Sequence, residues 1–417
     1  MAAAAELTAW AFPQLPLPHV LYIFSLLPAD QRLRAAEVSR AWRATVALPA
    51  LWRRLDLTPE SGVAAFTLKL LHAAVARAGG ALTAISLPKT PFADVAEICA
   101  ASPGLAEART RSTYPVAEWT ALLAAAPQLQ LHCGAQCEPA EALEILEGRA
   151  PLHALRLHTL RLIGRTRAEL PAALTLALAD DRLQPDLARL TLYRADFRER
   201  AAVEALADVV VARPRLRDLS LVACPFSPAA AAALSRLIRD GNLTTLELGG
   251  GHDTEFLDGA GAQALADALR GNSTLTSLTL RTLFGAPAPL MAVLVGSLVG
   301  HGSLRHLDLR GTFHDDDAAG AVLAALLAAD APALQALSLS DCRLTVAGLG
   351  AMCDALALNT RLHTLDLMGM HVPAGFVRSR FLPAVRANTG LRELDAMGDA
   401  GGDDAAQLEA ERIVAAR

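Results

Sequence analysis

A leucine, two variable residues, a leucine, one variable residue and a leucine recur along the C-terminal two-thirds of the sequence. The copies are LHALRL, LARLTL, LRDLSL, LTTLEL, LTSLTL, LRHLDL, LQALSL and LHTLDL, with LRELDA as a worn ninth. Their first leucines, Leu152, Leu187, Leu216, Leu243, Leu275, Leu304, Leu334, Leu362 and Leu391, are separated by 35, 29, 27, 32, 29, 30, 28 and 29 residues. A period of this length constrains the fold more than local propensity does. One unit cannot bury its own leucines and must stack on its neighbours.

On an extended strand the fourth and sixth residues of each copy point to the same face, and the first leucine seals the entrance to that core. Between copies lie apolar, alanine-rich runs such as AAVEALADVV, GAGAQALADALRGN and AGLGAMCDALALN, whose length and spacing suit helices. Each repeat therefore reads as strand, loop, helix and return. The expected fold class is α/β: a leucine-rich-repeat solenoid with a curved parallel sheet and helices on its convex side. A chain of 417 residues would otherwise suggest two or three domains, but an array grows in one direction and escapes that expectation. The copies fill residues 152–397. LTAISL, from Leu82 to Leu87, is an earlier copy, whereas Leu105 to Gly148 lacks the full motif, so 58–151 is read as degenerate repeats with a connecting helix. Residues 398–417 bring glycines and acids, then one amphipathic helix, and are read as a C-terminal cap or tail.

Residues 1–14 read as a tail, and residues 15–57, LPLPHVLYIFSLLPADQRLRAAEVSRAWRATVALPALWRRLDL, do not repeat. Val20, Phe24 and Leu27 share a helical face, Pro28 and Asp30 restart a helix running to about Val38, and Ala41 and Trp42 open a third. So short a unit has little to bury, and Trp42 and Trp52 fill it economically in a chain only 4% aromatic. Those two side chains suit either a core or an interface.

The segment resembles an F-box. The matching residues are Leu15 and Pro16, Ile23 and Phe24, Leu27 and Pro28, Val38 with Arg40 and Trp42, and Leu51 with Trp52; Pro18 departs from the acidic residue usual in that family. Followed by repeats, the whole resembles the F-box/leucine-rich-repeat family, the substrate receptors of Skp–cullin–F-box ubiquitin ligases: a small all-α F-box ahead of the solenoid. That resemblance implies docking onto a Skp-type adaptor, and through it a cullin and a RING subunit, while the repeats hold a protein substrate. It implies a monomer within a hetero-complex. By the same resemblance the adaptor-binding residues are Leu15, Pro16, Val20, Ile23, Phe24, Leu27, Val38, Trp42, Leu51 and Trp52.

In each repeat the third, fifth and seventh residues alternate with the buried leucines and face the concave surface. The fifth-position column, from Arg156 to Asp366 and Asp395, runs from basic to acidic. Arg189, Tyr193, Arg281, His306 and Arg310 are the candidate substrate-binding residues, since Tyr and Arg are enriched among interface hot spots.

Other functions find less support. A net charge of −5 gives no global field favouring nucleic acid or anionic lipid. Six scattered cysteines suit a reducing compartment, cytoplasmic or nuclear, rather than a secreted disulfide framework. MAAAAELTAWAF lacks the basic start of a signal peptide, and the uncharged window from Thr282 to Leu304 holds too many glycines and prolines for a membrane span. His132, Cys133 and Cys137 offer zinc ligands without a second pair nearby. Cys224 and Cys342 fall where such repeats place a residue that meets loop backbone. HDDDAAG from His314 reads as a helix start and GGGHD from Gly249 as a loop, and there is no Gly-x-Ser-x-Gly elbow. No cofactor and no catalysis are expected. The rival readings are a repeat scaffold or inhibitor similar to the ribonuclease-inhibitor class, and a leucine-rich GTPase-activating protein.

Overall fold

The computed structural model describes residues 16–63, 66–148, 155–168, 170–249, 258–281, 288–313, 317–329, 334–395 and 403–417. Leu15, the start of LHALRL, most of GGGHD and the first part of HDDDAAG lie outside them. The chain divides into two compact units, residues 1–161 with 183–187, and residues 162–182 with 188–417.

The first unit opens with three short helices, α1 (Leu17–Ser25), α2 (Ala29–Ala35) and α3 (Arg40–Val46). Each start has a local cause. Pro16 and Pro28 hold the extended conformation that precedes α1 and α2, and the Ser39 hydroxyl accepts the Trp42 backbone N–H at 3.1 Å to cap α3. A 3-10 turn, Pro49–Trp52, leads directly into β1 (Arg54–Asp56). This strand was read from sequence as the end of the helical segment. It pairs in parallel with β2 (Ala84–Leu87), placing Leu55 beside Ile85.

Behind β2 the structure builds two complete turns where the motif fades. They are β3 (Glu107–Pro115) with α6 (Val116–Ala125), and β4 (Gln130–Cys137) with α7 (Pro139–Leu146); α4 (Leu68–Ala78) and α5 (Phe92–Ala101) precede them. Ala84 pairs with Glu107 and Glu107 with Gln130, a period of 23 residues. The leucines are missing because β3 turns Ala108, Thr110 and Ser112 inward. Ser112 meets its polar needs by accepting the Thr90 N–H and donating to the Thr90 carbonyl, both at 2.8 Å. Fully buried Trp119 fills the remaining space, and its indole N–H donates to the Gly134 carbonyl at 3.0 Å.

Strand β5 (Leu155–Ala168) begins in the first unit and ends in the second. The second unit then runs through α8 (Ala172–Ala179), β6 (Arg189–Ala195), α9 (Arg200–Ala212), β7 (Asp218–Val222), α10 (Ala231–Asp240), β8 (Thr245–Gly249), α11 (Gly259–Gly271) and β9 (Ser277–Arg281). It continues with α12 (Ala288–Gly296), β10 (His306–Asp308), α13 (Asp317–Ala328), β11 (Ala336–Ser338), α14 (Val346–Leu358), β12 (Thr364–Asp366), α15 (Leu382–Ala387), β13 (Glu393–Asp395) and α16 (Asp404–Ala415). Strands β6 to β13 are parallel. The fourth residues of successive motifs, Leu190, Leu219, Leu246, Leu278, Leu307, Leu337, Leu365 and Leu394, stand in direct register, as the period predicts.

Successive repeats are stitched together by the residue three places ahead of the leading leucine. The amides of Asn272, Asn359 and Asn388 donate to the carbonyls of Ile238, Leu327 and Leu356 in the preceding repeat, at 2.8–2.9 Å. Each Asn oxygen accepts the N–H of its own following leucine at 2.8 Å. Arg213 and His301 fill the same place and reach the carbonyls of Asp180 and Leu269. Buried carbonyls at helix ends are thereby satisfied. At the end of the array α16 buries Ala406, Ala410 and Val414, while Arg386 pairs with Glu409 and Arg417 donates to the Val385 carbonyl at 2.5 Å.

Candidate functional site

The core of the helical segment is built from the residues its sequence marked out, but they are used inwardly. Val20, Phe24, Leu51 and Trp52 are almost completely buried. They stand among the residues expected to touch an adaptor, and in this structure they pack inward: a unit this small consumes its large apolar side chains in its own core. Phe24 meets half-buried Trp42 edge to face at 5.1 Å, and the Trp52 indole donates to the Val46 carbonyl at 2.7 Å.

Arg32, which sequence reasoning passed over, holds this core together. Its guanidinium lies over the Trp52 ring at 5.9 Å and donates to the carbonyls of Leu27 at 2.8 Å, Ser25 at 2.6 Å and Leu51 at 3.2 Å. It thus ties the end of α1 to the turn before β1. Burial lowers its pKa from the ordinary arginine value. Five planar donors suit an arginine to several carbonyls at once, a task no lysine geometry matches.

What the segment presents outward is a different set. Tyr22 and Leu26 are each 65% exposed and Val38 is 64% exposed; Ile23 and Pro16 are also exposed, and Leu27 is half-buried. Of the expected adaptor residues, Pro16, Ile23 and Val38 are thus accessible. Tyr22 and Leu26 were missed, although both occupy the side of α1 opposite Val20 and Phe24, a signal readable from helical periodicity.

In the second unit the open strand face carries the five residues expected to hold a substrate, and pairs most of them with acids. Arg189 donates to Asp218 at 2.5 Å, and Arg194 stacks over the half-buried Tyr193 ring at 5.2 Å. Arg281 bonds Asp308 at 2.9–3.0 Å and approaches Glu247 at 3.8 Å. Arg310 does not join Arg281: its side chain reaches Asp366 at 3.5 Å, and only its backbone N–H meets Asp308, at 3.0 Å. His306 is exposed. Burial pushes the Asp366 pKa up, but hydrogen bonds from Ser340, the Met368 N–H and Ser338, with the charge of Arg310, outweigh it and leave the group below the ordinary aspartate value. The result is a ladder of alternating charges rather than a cluster of free cations.

The cysteines are structural. All six are buried and none is in a disulfide. Burial pushes the Cys99 thiol up to about 11 and those of Cys137, Cys224 and Cys353 up to about 12, far from thiolate reactivity. Cys133 faces the core while neighbouring His132 points to the open face, so the two cannot share a metal. Cys224 and Cys342 lie against the Leu192 and Leu309 carbonyls at 3.4 and 3.1 Å, the backbone role their spacing suggested. Among the described residues His72, Asp94 and Glu97 bring donor atoms within 4.8 Å of one another, an approach that ion-pair distances of 3.6 and 3.9 Å already explain. No helix among the described residues is long and apolar enough to cross a membrane.

Comparison with known proteins separates the two parts of the chain. No curated protein matches the sequence. Among solved structures, the TLR13–ssRNA13 complex is similar at 15% identity and a TM-score of 0.39, over 78% of this chain and 50% of that one, so this chain spans half its length. An internalin from Listeria monocytogenes is similar at 14% identity and a TM-score of 0.36, over 76% of this chain and 81% of that one. The repeat register, rather than either likeness, carries the fold. Residues 12–58 match the family model described as F-box-like. The chain is therefore an F-box-like domain followed by leucine-rich repeats.

Proposed function

We propose that this chain is the substrate-recognition subunit of a Skp–cullin–F-box ubiquitin ligase, working in the cytoplasm or nucleus. In this reading the F-box-like domain docks onto a Skp-type adaptor and the repeats hold a protein substrate. The observation that carries it is the coincidence of the F-box-like match at residues 12–58 with a helical segment that keeps Tyr22, Ile23, Leu26 and Val38 in water. Leaving such side chains exposed costs stability unless a partner covers them. In this reading the chain acts by proximity, raising the effective concentration of substrate at a conjugating enzyme bound to the same assembly.

Co-purification with a Skp-type adaptor tests the reading. Tyr22→Glu with Leu26→Glu alters only exposed positions, so the fold is retained while adaptor capture falls by about 30-fold or more, the scale of losing one or two interface hot spots. Undiminished capture by this double variant, or no capture by the wild-type chain, overturns the assignment.

A further inference from the structure

The open face of the first unit has a charge pattern unlike the paired ladder of the second. Strands lie in the order β1 to β5, and Arg54, Arg109 and Arg156 project from β1, β3 and β5, with His132 between the last two on β4. One carboxylate, Glu107, serves most of this group. Arg109 bonds it at 2.6 and 2.7 Å, His132 stands 3.6 Å away, and Arg54 is 4.0 Å away with three-quarters of its side chain in water. Asp56, the other acid at this edge, is occupied by the N–H and hydroxyl of Thr58 at 3.0 and 2.6 Å. A cavity of about 570 Å³ opens here, lined by Arg32, Arg53, Arg54 and Arg109 against Asp56 and Glu107. Arg32 is spent on backbone carbonyls. Arg53 and Arg156 form no ion pair among the described residues. Burial, then the charges of Arg109 and Arg156, lower the His132 pKa against the opposing pull of Glu107 and Asp186, which places both Arg156 and a second acid, Asp186, within electrostatic reach of that ring.

We propose that this face, from the cavity beside Arg54 across to Arg156, receives an acidic segment of the protein that the repeats hold. The inference rests on the reading of the chain as a substrate receptor and names the chemistry of what it receives. Strands are about 4.8 Å apart, so cations on every second strand are about 10 Å apart, and a peptide in the polyproline II conformation, with three residues per turn and a rise of about 3.1 Å each, covers that distance in three residues and returns its side chain to the same face. Aspartate or glutamate at about every third position therefore meets Arg54, Arg109 and Arg156 in turn. A continuous polyphosphate fits poorly, because its closely spaced charges meet Glu107 and Asp56 between the arginines and a chain of net charge −5.

The test uses the full-length protein and a fluorescein-labelled twelve-residue peptide with glutamate at every third position among glycine and serine, read by anisotropy. A lysine counterpart and a single-stranded oligonucleotide are the comparison probes. The glutamate peptide alone is expected to bind. Its affinity falls several-fold between 50 and 300 mM salt, as screening shortens to the contact distance, and about tenfold in Arg54→Glu/Arg156→Glu. Arg54→Gln/Arg156→Gln gives an intermediate loss and guards against a folding defect, checked by an unchanged melting temperature. Equal binding of the lysine peptide, preference for the oligonucleotide, full affinity in both double variants, or no binding of the glutamate peptide each overturns the proposal. Adaptor capture is measured on the same preparations: capture without peptide binding removes this inference alone, and peptide binding without capture removes the ligase assignment alone.

Discussion

His301 performs at one site what asparagine performs at three others, and this makes its repeat sensitive to protons. Its Nδ1 accepts the N–H groups of Ser303 and Leu304 at 3.4 and 3.2 Å, so its Nε2 must carry the hydrogen that meets the Leu269 carbonyl at 3.2 Å. Only the neutral ring does both. Burial is the main cause that lowers its pKa below the ordinary histidine value, with hydrogen bonds to Leu269 and Asn272 opposing. The unfolded chain consequently binds the proton more readily than the folded one. The stabilisation is complete above the unfolded pKa, near 6.5, and drains away as the pH falls from there through the folded value. Thermal melts between pH 7.5 and 5 are expected to show a decline that His301→Asn flattens; an unchanged slope in that variant would contradict the tautomer. Arg32 is the second residue with a disproportionate role. Arg32→Ala leaves the carbonyls of Ser25, Leu27 and Leu51 without their donor and is expected to cost at least about 2 kcal/mol, read by chemical denaturation, with early hydrogen exchange in residues 16–52.

Between neighbouring elements two devices set the spacing of repeats. The asparagine bridge is one: Asn359→Ala removes a bond to Leu327 and the cap over Leu362, a loss of about 1–3 kcal/mol by denaturant titration. A glycine notch is the other. Gly320 on α13 and Gly348 on α14 bring their backbones so close that a methyl group on Gly320 would strike the Gly348 backbone. Gly320→Ala must push these helices apart and is expected to destabilise by more than the usual gain from alanine in a helix, seen as a lowered melting temperature. Much of this level was legible beforehand. The LxxLxL period fixes strands, register and helices because leucine is repeated at every inward position. It fails at β3, where alanine, threonine and serine turn inward and tryptophan supplies the bulk from a helix instead. The bridging residues escaped notice because Asn, His and Arg alternate at one structural position, so no single letter repeats.

For the molecule as a whole, an array stands by the contacts between successive repeats, and its ends are its weak points. Ending the chain at residue 402 removes α16 and uncovers α15 and β13, so hydrogen-exchange protection is expected to be lost there first and spread toward β12; uniform loss along the second unit would contradict this order. The candidate surfaces were less readable than the fold. The motif of the F-box-like domain marks residues by type, and type alone cannot say that Phe24 and Trp52 turn inward while Tyr22 and Leu26 stay in water. Likewise Arg281 and Arg310 were visible as cations, but their neutralisation by Asp308 and Asp366 depends on side-chain reach across strands. One junction sets the geometry of everything attached to the first unit. Buried Trp52 is followed by a single residue before β1, which is laced to β2. There is no tether to lengthen or swivel at that point: anything docked on the opening rungs would stand at a constant bearing from anything docked on the helices, its orientation set by posture rather than by slack.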